Sequence, residues 1–339
     1  MTPARPASSK LLSLRTFFTL LLLAALAIGG WLGWALWIPV RPEGQKFVLL
    51  RPGYSTWRIA TELKSAEVIH SANAFVVWHY FHHKHSLKAG EYLFDRSATA
   101  INVHDRVARG DIYVHTLVIP EGYTIFDIAQ AVQDAGLGSK QEFLQLATAD
   151  TALISDLAPN AKSLEGYLFP ATYEFTRTQS IHDMLAAMVK QFREVAASVG
   201  LNTNVHETIT LASIIEKETA VSEERPLVAS VYYNRLDRNI ALQADPSVIY
   251  AELLAGTYGG ALHHEDLQIK SAYNTYRYPG LPPGPIGNPG KTSVLAAMHP
   301  ASTDYYYFVS DGNGHHRFAN SLEEHNRNVS KLRQVMSKR

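Results

Sequence analysis

No charged side chain occurs between Arg15 and Arg41, and Phe17 to Val40 is almost wholly apolar. A run of that length has few ways to fold. A bilayer-spanning helix takes about 20 such residues and satisfies its backbone polar groups internally. A core helix of a soluble domain would instead carry a polar stripe, which this run lacks. A cleaved signal peptide has an apolar stretch of about 7–15 residues closed by a small-x-small site. Here the run is longer and no convincing site of that kind closes it. A transmembrane helix over residues 17–40 is therefore expected, with the lipid bilayer as its partner. Arg5, Lys10 and Arg15 precede it without an acid, which keeps the N-terminus cytoplasmic and sends the bulk of the chain outward. Trp31, Trp34 and Trp37 gather near the outer end, where interfacial aromatics belong.

Past Arg41 the chain reads as globular. Acidic and basic residues balance at 31 each, so nothing in the charge points to nucleic acid, and the absence of cysteine excludes disulfides, thiolate metal sites and cysteine nucleophiles. A weak internal repeat appears. Pro52-Gly53-Tyr54-Ser55-Thr56-Trp57-Arg58-Ile59-Ala60 is echoed by Glu121-Gly122-Tyr123-Thr124-Ile125-Phe126-Asp127-Ile128-Ala129, which follows Pro120. Each copy follows a short apolar run, FVLL or TLVI, and reads as strand, turn, Ser or Thr cap, then amphipathic helix. After the first copy a second helix through Phe75–Phe81 and a returning strand over Lys88–Phe94 are expected. This βααβ pattern resembles LysM-type modules, which bind N-acetylglucosamine polymers. Purely structural α+β units are the competing reading.

The histidines do not read as metal sites. His79, His82 and His83 could share a helix face, with His85 close by, but no supporting carboxylate is evident and the run ends in a basic loop, so a solvated surface is expected. The adjacent pairs His263-His264 and His315-His316, with His325, lack the i, i+4 spacing that brings two imidazoles to one helical face. Neither a metal nor another cofactor is expected.

The C-terminal part centres on Thr208–Thr219, reading TITLASIIEKET. At about 100° per residue Leu211, Ile214, Ile215 and Glu218 share one narrow sector while Glu216 points to the far side. An acid on an apolar stripe must be paired, be neutralised by a raised pKa, or serve a reaction. Downstream, Ala272–Gly290 (AYNTYRYPGLPPGPIGNPG) is too rich in Pro and Gly for a regular element, and its tyrosines with Asn274, Thr275 and Asn288 suit a sugar cleft. A strand over Tyr305–Val309, the Asp311–Gly314 turn and a partner strand over Arg317–Ala319 should form a hairpin. A buried acid beside such a cleft points to glycoside chemistry. Glu165, Glu216, Asp245 and Glu265 are candidates for a second carboxylate, and none shares the sector of Glu218. One carboxyl suffices where the attacking hydroxyl is tethered to the sugar being cut, because effective molarity then replaces an activated water.

The combination LEGYLFPATY, ASIIEKET, VYYNRL, LQADPSVIY, AYNTYRYPGLPPGPIGNPG, AAMHPA and YYYFVSDGNGHHRF, in that order, closely resembles the YceG-like (MltG) family of endolytic murein transglycosylases. The resemblance spans the whole chain. It implies an α+β fold with an N-terminal transmembrane helix, a LysM-like βααβ subdomain and a mixed helical/β catalytic domain with long Pro/Gly-rich loops. It implies a single-pass enzyme of the inner membrane facing the periplasm, which cuts the MurNAc–GlcNAc β-1,4 bond within nascent glycan strands and leaves 1,6-anhydro ends. The family's catalytic glutamate falls on Glu218, general acid and then base. Gln243, Asp245, Ser247 and Tyr250 on one segment, and Tyr273, Asn274, Thr275 and Tyr276 on another, become the expected glycan contacts. For each tyrosine the alternative is a half-buried packing role, and for Asp245 an N-cap before a helix starting at Pro246. Glu165 and Arg235 could instead form a structural pair. Ala244 and Ser247 stand where the family pattern has Thr, and Ser310 where Ala is usual. The domains expected are 1–16 cytoplasmic, 17–40 transmembrane, 41–115 LysM-like, 116–160 a second α+β unit and connection, and 161–339 catalytic. Peptidoglycan synthases (penicillin-binding proteins) are partners by resemblance alone. A non-catalytic glycan-binding protein and a two-carboxylate muramidase are the alternative functions.

Overall fold

The computed structural model describes residues 8–82 and 86–337, with side chains from Leu14 onward. The chain is a mixture of helices and short antiparallel strand pairs, divided into two compact units. The first runs to Val114 and takes in Thr176–Thr178; the second comprises His115–Phe175 and Gln179–Arg339. Arg5, His83 and His85, used above, lie outside the described residues.

In the first unit, helix α1 covers Ser8–Trp37, and its Leu14–Trp37 portion is long and apolar enough to cross a membrane. It stops three residues short of the expected Val40. Ile38 precedes Pro39, a position that disfavours helix, and Val40 instead bridges Ala98. The end of α1 is built into the unit: Ala35 and Leu36 are buried, Trp34 lies 4.4 Å from the His70 ring and Trp37 5.9 Å from Trp78. Trp34 and Trp37 therefore pack on protein as well as presenting an outer face.

Strand β1 (Lys46–Leu50), α2 (Thr56–Ser65), α3 (Ala72–Phe81) and β2 (Gly90–Phe94) follow, with β1 and β2 antiparallel, and α4 (Ala100–Arg109) closes the unit. Ser55 caps α2 by accepting from the Arg58 amide, as its place before the amphipathic run dictates. Leu50, Leu63, Phe75, Tyr92 and Val107 form the core. His79 is not simply solvated: its Nδ1 meets Nε2 of His104 at 3.0 Å, and His104 in turn meets Asp105 at 3.1 Å. His82 is exposed and stacks on Trp78. The carboxylate missing from the local sequence is supplied by α4.

The second unit repeats the opening. Strand β3 (His115–Val118) leads to α5 (Ile125–Asp134), where Thr124 and Asp127 form a capping box. After α6 (Lys140–Ala149), strand β4 (Thr172–Phe175) returns antiparallel to β3, so the segments on either side of residue 160 share one sheet. Helix α7 (Ile181–Val199) starts at a second capping box, Ser180 with Asp183. Then come α8 (Val205–Glu218), α9 (Arg225–Asp237), α10 (Asp245–Ala255) and α11 (Lys291–Met298). The hairpin β5 (Tyr307–Ser310) and β6 (His316–Ala319) precedes α12 (Leu322–Met336). Helix α8 is buried at Val205 and continuously from Ile209 through Ile215, and packs on α9 and α11. Its surroundings, more than its propensity, hold it in place.

Candidate active site

Glu218 is the last residue of α8; Thr219 is already extended, at φ −140° and ψ 133°. The apolar stripe seen on the wheel is buried as expected, through Leu211, Ile214 and Ile215, and Glu218 follows it to the edge of the interior. There it lines a cavity of about 260 Å³. Burial pushes the Glu218 carboxyl up to about 7; a hydrogen bond from the Tyr232 hydroxyl, 2.6 Å from Oε1, limits the rise, and the nearby charge of Asp245 adds to it. A helix C-terminus also disfavours negative charge. The group is thus poised to hold and release a proton near neutrality.

Glu216 does point elsewhere, but not into water. Its carboxylate pairs with the buried Arg225 at 2.8 Å and accepts from the Gly290 amide at 2.9 Å. Two glutamates two positions apart thereby have separate tasks, one ionic and structural, the other facing the cavity.

Helix α9 contributes Tyr232 and Arg235, three residues apart on one face. Arg235 does not pair with Glu165. Its Nε donates to the Tyr306 carbonyl and its Nη1 to those of Ala241 and Leu242, while the guanidinium lies 5.3 Å from the Tyr307 ring centroid. Phe308 of β5 and His325 of α12 complete that side of the cavity. Leu242, Phe308 and His325 were not expected at the cavity from sequence, where His325 was weighed only as a metal ligand and set aside. For Tyr232 and Arg235 the i, i+3 spacing in VYYNRL was an available signal; for His325 nothing local pointed to the cavity.

Of the expected glycan contacts, Gln243, Asp245 and Tyr276 line the cavity with Glu218. The Tyr276 hydroxyl donates to Asp245 Oδ1 at 2.6 Å. Asp245 is no N-cap: it is the first residue of α10, and Ala244, which has no side chain to cap with, occupies the cap position. Ser247, Asn274 and Thr275 are buried and do not line the cavity. The Ser247 and Thr275 hydroxyls brace the two segments against each other, and the Asn274 amide closes the chain just before its own segment. Ser247 and Thr275 share a 2.8 Å bond, Thr275 Oγ1 accepts from the Ala244 amide, and Asn274 donates to the carbonyls of Leu267 and Ile269. The Gln243 amide donates to the Thr275 carbonyl at 3.1 Å, with Gln243 held at φ 55°. A non-glycine residue in that region is uncommon and is maintained by its surroundings.

Tyr250 and Tyr273 belong to another cluster, their rings 5.0 Å apart, around Glu165. Glu165 is 1% exposed, accepts from the Ile125 amide and from Asn288, and burial pushes its carboxyl up to about 8. The Pro/Gly-rich stretch is likewise a strap more than an open cleft. Asn288, fully buried, binds Leu168, Tyr123 and Glu165. The Ile286 amide donates to Ser213 of α8. A Cβ on Gly287 would lie 2.9 Å from the Gly122 carbonyl oxygen, so the strap needs glycine there. Tyr276, near its start, is the residue of this stretch that reaches the cavity.

Among the candidate second carboxylates, Asp245 shares the Glu218 cavity, whereas Glu165 and Glu216 are engaged in the interior. Beyond the cavity, Glu224 accepts from His316 Nδ1 at 2.6 Å and His315 Nδ1 at 3.1 Å, and from Thr219 at 3.4 Å. The paired histidines thus tie the β5–β6 hairpin to the residue after Glu218.

The chain is similar to known proteins. Residues 48–331 match the model of the YceG-like family. The chain is 35% identical over 295 residues to the endolytic murein transglycosylase of Bacillus subtilis (strain 168), covering 81% of each. It is 32% identical over 350 aligned positions to the endolytic murein transglycosylase of Streptococcus pneumoniae serotype 2, covering 92% of this chain and 64% of the relative. The crystal structure at 2.6 Å of a yceG-like protein from Listeria monocytogenes superposes with a TM-score of 0.55 at 32% identity, over 84% of this chain and 99% of that one.

Proposed function

Because the chain belongs to the YceG-like family, we propose that it is an endolytic murein transglycosylase in which Glu218 both gives and takes the proton. The observation that carries this reading is the Glu218 carboxyl itself, raised to about 7 at the edge of a cavity lined by Arg235, Asp245 and Tyr276. In its protonated form Glu218 donates to the oxygen linking N-acetylmuramic acid C1 to the next sugar; the C1–O bond breaks and the departing sugar leaves as an alcohol. The 6-hydroxyl of the same muramic acid then bonds to C1 and returns its proton to Glu218. No water is consumed, and the product end is 1,6-anhydro-N-acetylmuramic acid. Gln243, Asp245 and Tyr276 are the glycan contacts of this reading. Ser247, Asn274 and Thr275 hold them in place, and Tyr250 and Tyr273 support the interior.

Asp245 in the same cavity favours one competing chemistry, a hydrolysis in which the second carboxylate activates water. Mass spectrometry of peptidoglycan digested by the full chain in detergent separates the two. Anhydro ends are expected; reducing ends, heavier by one water, would establish the muramidase. Glycan bound without any released product would mean a non-catalytic wall-binding protein.

The apolar helix α1 is read as a single-pass anchor, cytoplasmic before residue 17, which keeps the site beside strands being made at the inner membrane. The β1-α2-α3-β2 arrangement supports a LysM-like role for residues 41–115, with 116–160 and 161–339 making up the catalytic part. Glycan polymerases are the partners such a location favours.

A further inference from the structure

His325 is brought to the Glu218 cavity from α12, more than a hundred residues downstream of Glu218, and the reaction above gives it no task. Its ring stacks on Tyr307, 5.2 Å between centroids and 26° between planes, and Arg235 lies against the same Tyr307 ring. Nδ1 of His325 is buried and has no hydrogen-bond partner. Burial, and then the charge of Arg235, lower the tendency of this imidazole to accept a second proton. A buried N–H without an acceptor beside a guanidinium is the worse of the two neutral arrangements, so the proton belongs on Nε2. That nitrogen makes no hydrogen bond with the described residues and, unlike Nδ1, is not buried, in a residue that lines the cavity. Arg235 is in the same position: Nε and Nη1 are committed to backbone carbonyls, and Nη2 bonds to none of the described residues.

We propose that His325 Nε2 and Arg235 Nη2 form a donor-only subsite for an amide carbonyl oxygen of the glycan. Arginine has no acceptor, and this tautomer of histidine offers none to the cavity. A sugar hydroxyl, which both donates and accepts, would leave its own proton without a partner there. A carbonyl oxygen accepts two hydrogen bonds and has no proton to place. Carbonyls of that kind occur on every residue of the proposed substrate as N-acetyl groups. Across the cavity, Asp245 and Tyr276 provide the acceptor side, to which an amide N–H or a hydroxyl can turn. The subsite therefore reads the substituents of the glycan rather than its ring.

This inference rests on the proposed function, so the experiment carries a control for each. With the full chain in detergent and isolated glycan strands, His325→Phe keeps the ring on Tyr307 and removes the donor; His325→Gln restores an N–H. The Phe variant is expected to raise KM about tenfold with kcat changed much less, as loss of one ligand hydrogen bond would do, and Gln should recover most of it. De-N-acetylated strands should weaken turnover by wild type and have little further effect on His325→Phe. Wild-type KM in the folded Phe variant, no rescue by Gln, or equal sensitivity of both proteins to de-N-acetylation would overturn the subsite. Should Phe not fold, His325→Leu, which likewise removes the donor, takes its place in the same comparison with de-N-acetylated strands. Glu218→Gln run alongside keeps the two claims apart: an inactive Glu218→Gln with unaltered His325 variants removes only the subsite, whereas an active Glu218→Gln removes the proposed function and the subsite with it.

Discussion

The Tyr232 hydroxyl donates to Glu218 Oε1 across 2.6 Å, joining the last residue of α8 to a fully buried position on α9. The bond favours the charged carboxylate, whereas burial favours the neutral acid, and burial prevails, leaving Glu218 near 7. Tyr232 itself is held far from ionising by burial and by the Glu218 charge. It can therefore tune Glu218 without competing for its role.

Removing that donor should move the titration. In Tyr232→Phe the Glu218 pKa rises above 7 by about one unit, the worth of one hydrogen bond to a charged group. The alkaline limb of the kcat/KM profile for release of anhydro ends shifts upward accordingly. An unshifted limb would mean that the hydroxyl is only a packing contact.

Glu218→Gln should abolish turnover by at least about 10²–10⁴-fold, the usual contribution of a general acid and base. It should also change stability in a pH-dependent way. The folded carboxyl titrates near 7 against an ordinary 4.5, so folding retains a proton that the unfolded chain releases. Its contribution is complete below pH 4.5 and is lost as pH rises through 7, a total of about 3 kcal/mol at most. Thermal unfolding in detergent at pH 5 and pH 8 should show the variant losing less stability than wild type over that interval.

Glu165 has the same sign with a higher upper limit, since its carboxyl is raised to about 8 by burial. In Glu165→Gln the amide oxygen can accept from Ile125 and Asn288 while the amide nitrogen faces the Tyr250 hydroxyl. The variant should match wild type near pH 4, below the ordinary carboxyl value of 4.5, and exceed it increasingly up to pH 9, where wild type has to bury a charge. A melting temperature that tracks wild type across this range would show that Glu165 is already ionised.

Glu216→Ala leaves Arg225 buried with Thr292 and a distant, half-exposed Glu121 at 3.7 Å. Loss of one partner of a buried pair costs about 3–5 kcal/mol, so urea unfolding should move to markedly lower concentration. An apolar double replacement, Glu216→Leu with Arg225→Met, should recover much of the loss, because no unpaired charge remains.

Local signals carried a good part of the fold. The Ser55 and Thr124 caps and the strands before them lie where short-range patterns placed them, and the C-terminal hairpin forms as expected with its first strand starting at Tyr307 instead of Tyr305, because capping and alternation act over a few residues. The polar residues of LQADPSVIY and AYNTY were less legible. Ser247 and Thr275 carry the same hydroxyl whether they bind sugar or each other, and only their pairing across 28 positions settles which. Asn288 resembled a cleft amide, yet it ties together three segments of the interior.

By itself the sequence determined the apolar helix near the N-terminus and the membership of Glu218, rather than Glu216, in an apolar stripe, since both follow from spacing along a single element. Tertiary structure decided what surrounds that acid. The end of α8, one face of α9, the start of α10, Tyr276, β5 and α12 converge on one cavity, and long-range packing of this kind leaves no periodic trace in the chain. Burial in that setting raises the carboxyl to near 7, and the same packing brings His325 within reach of the chemistry.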